Sequence, residues 1–180
     1  MLARLDTPSG FIELKRSNPK GIENQVWKDS GDSYMHVNGV LARGDSTASV
    51  ETVGETYDAI MAAVAIQSIK PSNTWPLSTT ELTKLARRLQ LSLIAHFWMG
   101  DSFALAVERD DAGVSVKLES MASNQGRLLD SDVLSGNEFF EYRKGIAAAM
   151  TDSSMLGESG LRTLSNSHVS YRAGGYHSGS

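Results

Sequence analysis

Val50-Glu51-Thr52-Val53-Gly54-Glu55-Thr56-Tyr57-Asp58-Ala59 opens a long periodic stretch of this 180-residue chain. Val50, Val53, Tyr57, Ile60, Met61, Val64 and Ser68 recur at steps of three and four, the spacing of one helix face. A helix is therefore predicted from about residue 49 to residue 69. Ala59, Ala62, Ala63 and Ala65 widen the stripe and allow a second helix to approach closely. Pro71 and Ser72-Asn73 stop it. Glu51 and Glu55 sit in its first turns. Acids there complement the helix dipole; the alternative is that Glu51 reaches a ligand.

Working outward, Ser78 and Glu81 form a capping-box pair ahead of Leu82. Leu82, Leu85, Leu89, Leu93 and Phe97 then predict a second helix over 79–98, with Lys84, Arg87, Arg88 and Gln90 on its wet face. The two helices read as an αα-hairpin. His96, near the end, reads as a dipole partner or a packed polar group. The period then changes. Phe103, Leu105 and Val107 alternate with small or polar residues, and so do Val114, Val116 and Leu118, which predicts a β-hairpin. Its turn holds Asp110-Asp111-Ala112-Gly113 without the spacing of a calcium loop, so these acids read as solvated turn residues. A third helix is expected over 137–150, carried by Phe139, Phe140, Ile146 and Met150. The fold class is mainly α with a small β-hairpin insertion.

Upstream, residues 2–33 carry turn signals and little periodicity. Asp6-Thr7-Pro8-Ser9-Gly10 and Ser17-Asn18-Pro19-Lys20-Gly21 read as turns around a short extended piece, Phe11-Ile12-Glu13-Leu14. Such an irregular opening is expected to line a site rather than build a core. Val37-Asn38-Gly39-Val40 is a small hairpin signal.

Composition narrows the function classes. The net charge is −4, the basic residues are scattered, and 41% of the residues are hydrophobic. Neither nucleic acid nor an anionic membrane is an expected partner. No apolar run approaches a membrane span, so a soluble, cytoplasmic protein is expected. There are no cysteines, which excludes disulfides, thiolate metal sites and thiol catalysis. The four histidines are dispersed, and no phosphate-binding glycine motif or nucleophile elbow is present. No metal or cofactor is expected.

The chemistry concentrates in Asn24-Gln25-Val26-Trp27-Lys28-Asp29-Ser30-Gly31-Asp32-Ser33. A tryptophan beside a carboxylate in a loop can stack a sugar ring and present an acid to it. The same residues also suit an ordinary Asp-, Ser- and Gly-rich turn.

Several segments, in order, resolve that ambiguity. Gly21-Ile22-Glu23-Asn24-Gln25-Val26-Trp27-Lys28-Asp29-Ser30 resembles the N-Q-G-W-K-D-S signature of bacterial amylo-α-1,6-glucosidase, or glycogen-debranching-enzyme-like, glycoside hydrolases. Ser9-Gly10-Phe11-Ile12-Glu13 resembles the D-G-F-[VI]-E-Y that precedes it in that family. The stretch 50–59, Ser123-Asn124-Gln125-Gly126-Arg127-Leu128-Leu129, Ser159-Gly160-Leu161-Arg162-Thr163-Leu164-Ser165 and Gly175-Tyr176-His177-Ser178-Gly179-Ser180 agree in order. The resemblance covers essentially the whole chain. Val26 stands where the family has glycine, Thr52-Val53-Gly54 where it has V-Q-G, and Glu55 where an aromatic or small residue is common.

The resemblance implies a portion of an (α/α)6 toroid, truncated at both ends, that acts on α-glucosidic bonds by an inverting two-carboxylate mechanism. Asp29 maps to the acid. The base is expected from a later segment, beyond the V-W-P that follows the last motif in the family. Trp27, Lys28, Asp32, Glu51, Gln125, Arg162 and His177 are the expected contacts to an oligosaccharide or α-glucan. Inversion needs roughly 6.5–9.5 Å between the two carboxyls, and Asp29 and Asp32, three residues apart in one loop, do not recommend themselves as that pair. A general acid keeps its proton near neutrality through burial or a neighbouring carboxylate, which Trp27 and Glu51 would supply. Lys28 is expected to point away from the acid or toward a sugar hydroxyl. By itself the chain is expected to be inactive, and an open toroid would expose Val53, Tyr57 and Ile60. A carbohydrate-binding module without hydrolysis, or a truncated product, are the alternatives.

Overall fold

A computed structural model describes residues 10–14, 18–42, 46–72, 74–109 and 112–179. The expected turns at 6–10 and 17–21 lie partly, and the paired acids Asp110-Asp111 wholly, outside the described residues. The elements run β1 (Ser46–Ser49), α1 (Val50–Ile69), α2 (Thr79–Phe97), β2 (Ala106–Arg109), β3 (Ser115–Leu118), three 3-10 turns (Ser123–Leu129, Asp132–Leu134, Asn137–Phe139), α3 (Phe140–Thr151), and the short pair β4 (Leu156–Gly157) and β5 (Gly160–Leu161). The architecture is mainly α with a small antiparallel sheet.

The helical hairpin forms as its spacing dictates. Val50, Val53, Tyr57 and Ile60 on α1 meet Leu82, Ala86, Leu89, Leu93 and Phe97 on α2 in one buried cluster. The α2 capping box is complete: Glu81 N donates to Ser78 Oγ at 3.3 Å, and Ser78 N donates to Glu81 Oε2 at 2.8 Å. Helix α1 has no side-chain cap; its first free amide, Val50 N, donates to Leu105 O at 3.2 Å instead. Strand β1 runs straight into α1, so the sheet holds the helix start in place.

That strand is the element the periodicity did not reveal. β1 is four residues of Ser, Thr and Ala, too short and too polar to alternate visibly. It pairs antiparallel with β2, which pairs with β3 in the expected hairpin. Leu14 adds one further bridge to Thr47, so the Phe11–Leu14 piece extends the sheet edge. The Val37–Val40 signal closes as a tight turn: Met35 bridges Leu41, Gly39 N donates to His36 O at 2.8 Å, and Gly39 takes φ 81°.

Four expectations are corrected, the first being Gln90, which is buried on α2 and donates to Val133 O at 2.7 Å rather than facing water. Val53, Tyr57 and Ile60 are buried rather than exposed, because α2 and the 3-10 turns after β3 cover that face. The large apolar residues left exposed on α1 are Ile66 and Ile69 in its last turn. The irregular opening also contributes to the core. Phe11 is buried edge-on against Phe97 and His96, while Tyr34 and Met35 join Leu105, Leu118, Ala122 and Leu164 in a second cluster beneath the sheet. The third helix starts later than expected, as a 3-10 turn that becomes α3 at Phe140.

Helix α3 seats against the α2–β2 connection through Gly145. A Cβ there would lie 2.8 Å from Trp98 Cη2 and closer still to the Asp101 carbonyl. Alanine gains about 1 kcal/mol of helix propensity over glycine, but overpacking against backbone costs about 1–3 kcal/mol. Gly145→Ala is therefore expected to lower the urea midpoint; an unchanged or higher midpoint would show that α3 does not dock this tightly.

Candidate functional site

The Trp27–Ser33 loop has almost no repetitive structure, so its shape depends on side-chain anchors. Asn24 Nδ2 donates to Ser30 O at 2.7 Å, and Ser33 N donates to the same carbonyl at 3.0 Å. Val26 packs half-buried against the second core cluster. Lys28 turns inward and is fully buried. Its Nζ donates to the Thr163 carbonyl at 2.7 Å and to the His177 carbonyl at 3.4 Å. One lysine thus ties the loop to two segments more than 130 residues further along.

His177 is the second anchor. Its Nδ1 lies 2.8 Å from Ser30 Oγ and 3.1 Å from Ser33 Oγ, and the two hydroxyls are 2.7 Å apart. The Trp27 indole meets the imidazole edge-on at 5.4 Å. Asp29 Oδ1 stands 3.9 Å from Nδ1. Against this buried base, Trp27 is 45% exposed, the Asp29 side chain 47% and Tyr176 78%. Two aromatic rings and a carboxylate therefore face solvent above a buried, hydrogen-bonded floor. Asp32 is also exposed and lines, with Met35, Leu41, Ser170, Arg172 and Ser178, a neighbouring cavity of about 160 Å³.

Beneath Lys28 lies a layer of buried polar groups. Glu51 accepts a hydrogen bond from Tyr34 OH at 3.1 Å. Burial and the Glu51 charge raise the Tyr34 phenol well above its ordinary range, opposed by Ser49 and Asn124. Glu51 Oε2 and Thr52 Oγ1 are buried without a partner among the described residues, while Ser49 and Asn124 lie against the Tyr34 hydroxyl. Each such group costs about 1–3 kcal/mol, so this layer is where an ordered water or a ligand hydroxyl has most to gain.

The eight residues expected at the site do not all gather. Trp27, Lys28, Asp29, Asp32 and His177 come together, with Glu51 below them as the charge that offsets the Lys28 ammonium. Gln125 goes elsewhere. Its Oε1 accepts from Phe103 N at 3.0 Å and its Nε2 contacts Met121 Sδ at 3.1 Å, so it joins the 3-10 turn to the segment before β2. Its neighbour Asn124 points to the polar layer instead. Arg162 lies across the β4–β5 pair and donates to Ser153 O at 3.2 Å; from that segment the Thr163 carbonyl reaches the loop. Tyr34 and Ser49 carried no motif of their own, and Asn124 lay within the 123–129 motif beside the residue singled out from it. Only the pairing of β1 and the start of α1 with the 123–129 turn brings them together. The described residues contain no group of three or more His, Cys, Asp or Glu placed to hold a metal. None of their helices is long and apolar enough to cross a membrane.

No protein-family model matches the chain, and no curated protein matches it in sequence.

The electrostatics of the anchors have measurable signs. Burial lowers Lys28 from 10.5 to about 8, partly opposed by the Glu51 carboxylate. Between those values the unfolded chain holds a proton that the folded chain lacks. Lys28 therefore subtracts from stability below pH 8, on the order of 3 kcal/mol, and the subtraction fades as pH rises to 10.5. Urea unfolding of wild type and Lys28→Met should show their stability difference shifting toward wild type from pH 8 to pH 10.5. A constant difference would show that the amine is solvated.

His177 is lowered from 6.5 by burial and by Lys28, against Asp29 and Asp32. As pH falls below 6.5 the unfolded chain takes up a proton before the folded chain does, and stability drops. His177→Gln is expected to flatten that acid limb; an equally steep limb in the variant would place the lost stability elsewhere.

Proposed function

We propose that this chain carries the acid loop of a glycoside hydrolase acting on α-glucosidic bonds, within an (α/α)6 toroid of the debranching type. The observation that carries the reading is the pairing of an open indole with an open carboxylate, Trp27 and Asp29, on the buried Lys28–His177 base. A pyranose ring stacks its apolar face on Trp27, and its glycosidic oxygen then lies within reach of Asp29. The protonated carboxyl gives its proton to the leaving oxygen. A second carboxylate activates water on the opposite face of the ring. Helix α1 and α2 serve as one helical pair of the toroid. Lys28 positions the loop and, being turned inward, adds no ammonium beside the acid. The expected location remains the cytoplasm.

One observation favours a second reading, a saccharide-binding module without hydrolysis. Asp29 is half exposed, and the buried carboxylate nearby, Glu51, is engaged by Tyr34; general acids commonly sit in drier surroundings. Hydrolysis separates the two. In a form of the protein that releases reducing sugar from α-glucan, Asp29→Asn is expected to lower turnover about 10²–10⁴-fold with an unchanged melting temperature. Turnover near wild type would remove Asp29 from the mechanism, while saturable binding with no release in any form would favour the module.

A further inference from the structure

The cavity of about 160 Å³ beside the Trp27–Ser33 loop has a chemistry of its own. It is smaller than the roughly 300–1,000 Å³ of pockets that take a drug-sized ligand, so it suits a single ring. Two of its sides are tied to one imidazole. Asp32 lies on one side, and Oγ of its neighbour Ser33 is 3.1 Å from His177 Nδ1. Ser178 and Arg172 lie on the other; Ser178 directly follows His177 in the chain, and Arg172 N donates to Ser178 O at 2.9 Å. The buried Met35 and the half-buried Leu41 supply an apolar side. Asp29 Oδ1 stands 3.9 Å from the same imidazole, so the cavity and the carboxylate read as the acid share His177 as a neighbour.

Four polar side chains in this cavity keep their hydrogen-bonding capacity. Asp32 and Arg172 line it together, yet neither is ion-paired with the other or with any described residue. The hydroxyls of Ser170 and Ser178 have no hydrogen-bond partner among the described residues. One negative and one positive group leave the lining without a net charge. Asp32 disfavours a phosphate or a carboxylate, and Arg172 disfavours an ammonium. A neutral hydroxyl suits both, because it can donate to the carboxylate and accept from the guanidinium. A pyranose ring carries adjacent hydroxyls on its edge and C–H groups on its faces, which match the charged sides and the Met35–Leu41 side.

We propose that this cavity is a second-ring subsite of the Trp27–Asp29 loop. It seats the sugar on the far side of the glycosidic oxygen from the ring stacked on Trp27, with neighbouring hydroxyls donating to Asp32 and accepting from Arg172. The subsite presupposes that the loop binds saccharide, since its ring is linked to the one on Trp27. What it adds is a preference for two linked rings over one, with Arg172 as the residue that sets it.

Methyl α-glucoside, maltose and isomaltose titrated into the 180-residue chain test this by NMR. The Trp27 indole N–H reports on the loop, and the Gly39 and Ser170 amides report on the cavity. All three sugars are expected to shift Trp27. At least one disaccharide is expected to shift the two amides as well and to bind about tenfold tighter than the glucoside, as one hydrogen bond to a charged group allows. Arg172→Ala is expected to remove that gain while binding the glucoside and melting as wild type does. Asp32→Asn, which keeps one acceptor oxygen, is expected to lose part of it. Equal affinity for the glucoside and both disaccharides, or a gain that survives in Arg172→Ala, would overturn the subsite and leave the loop reading standing. Amide shifts without a Trp27 shift would overturn the loop reading and with it the linkage of the two sites. Alanine, a zwitterion able to pair with both charges, is expected to leave the amides unshifted; alanine binding tighter than either disaccharide would overturn the saccharide assignment of the cavity.

Discussion

The fully buried Lys28 ammonium is the constraint on which the candidate site depends. An irregular loop has no ladder of its own, so its conformation is set by whatever its side chains grip. Lys28 grips two main-chain carbonyls, Thr163 O and His177 O, from segments far along the chain. Closing a connection that long costs little more than closing a short one, because the entropy grows only with the logarithm of length. The larger cost is desolvation, and it shows in the lowered affinity of Lys28 for its proton. Carbonyl dipoles and the Glu51 charge offset it in part. The result is a loop held rigidly from below and left open above.

The same bond explains the layer under the loop. Glu51 is kept buried at the start of α1 because a cation lies above it and Tyr34 OH beside it. Were Lys28 absent, the carboxylate would be a buried charge with one phenol for company, which proteins rarely tolerate. The buried polar groups of this layer, on Ser49, Glu51, Thr52 and Asn124, are all contributed by β1, the first turn of α1 and the 3-10 turn that packs on it. The two core clusters flank this layer. One is the helical hairpin, and the other is the sheet floor of Tyr34, Met35, Leu105 and Leu118. Apolar packing on either side thus brings the polar groups together.

What was legible in the sequence follows from which forces are local. Helix periodicity and the Ser78–Glu81 cap located α1 and α2 within a residue or two, since both depend on neighbours three and four positions apart. The hairpin of β2 and β3 was equally visible from its alternation. β1 was not, because a four-residue Ser-Thr-Ala strand exists only through its partner β2. The burial of Val53, Tyr57 and Ile60 was hidden for a related reason: the turns that help α2 cover them, at 123–134, come at least 63 residues later. Within the site, the Trp27–Asp29 stretch was conspicuous by composition. Choosing Asn124 over Gln125 for the polar layer required the phase of a 3-10 turn, which adjacent amides do not reveal. Arg162 was the conspicuous residue of its motif, yet the neighbouring Thr163 backbone makes the contact, and a carbonyl has no sequence signature.

The exposure of Asp29 bears directly on the proposed chemistry. In the free protein the Asp29 side chain is 47% exposed. On the proposed reading, a sugar ring laid on Trp27 would displace water from one side of that carboxyl, since indole and carboxylate share the same rim of the His177 base. Substrate, rather than the empty loop, would then supply the dry surroundings that a general acid needs. Catalytic groups are often looser in the free enzyme and tighten in the complex. Because Lys28 and His177 already anchor the loop, the binding energy of a ring there would go into excluding water from one carboxyl rather than into shaping the loop.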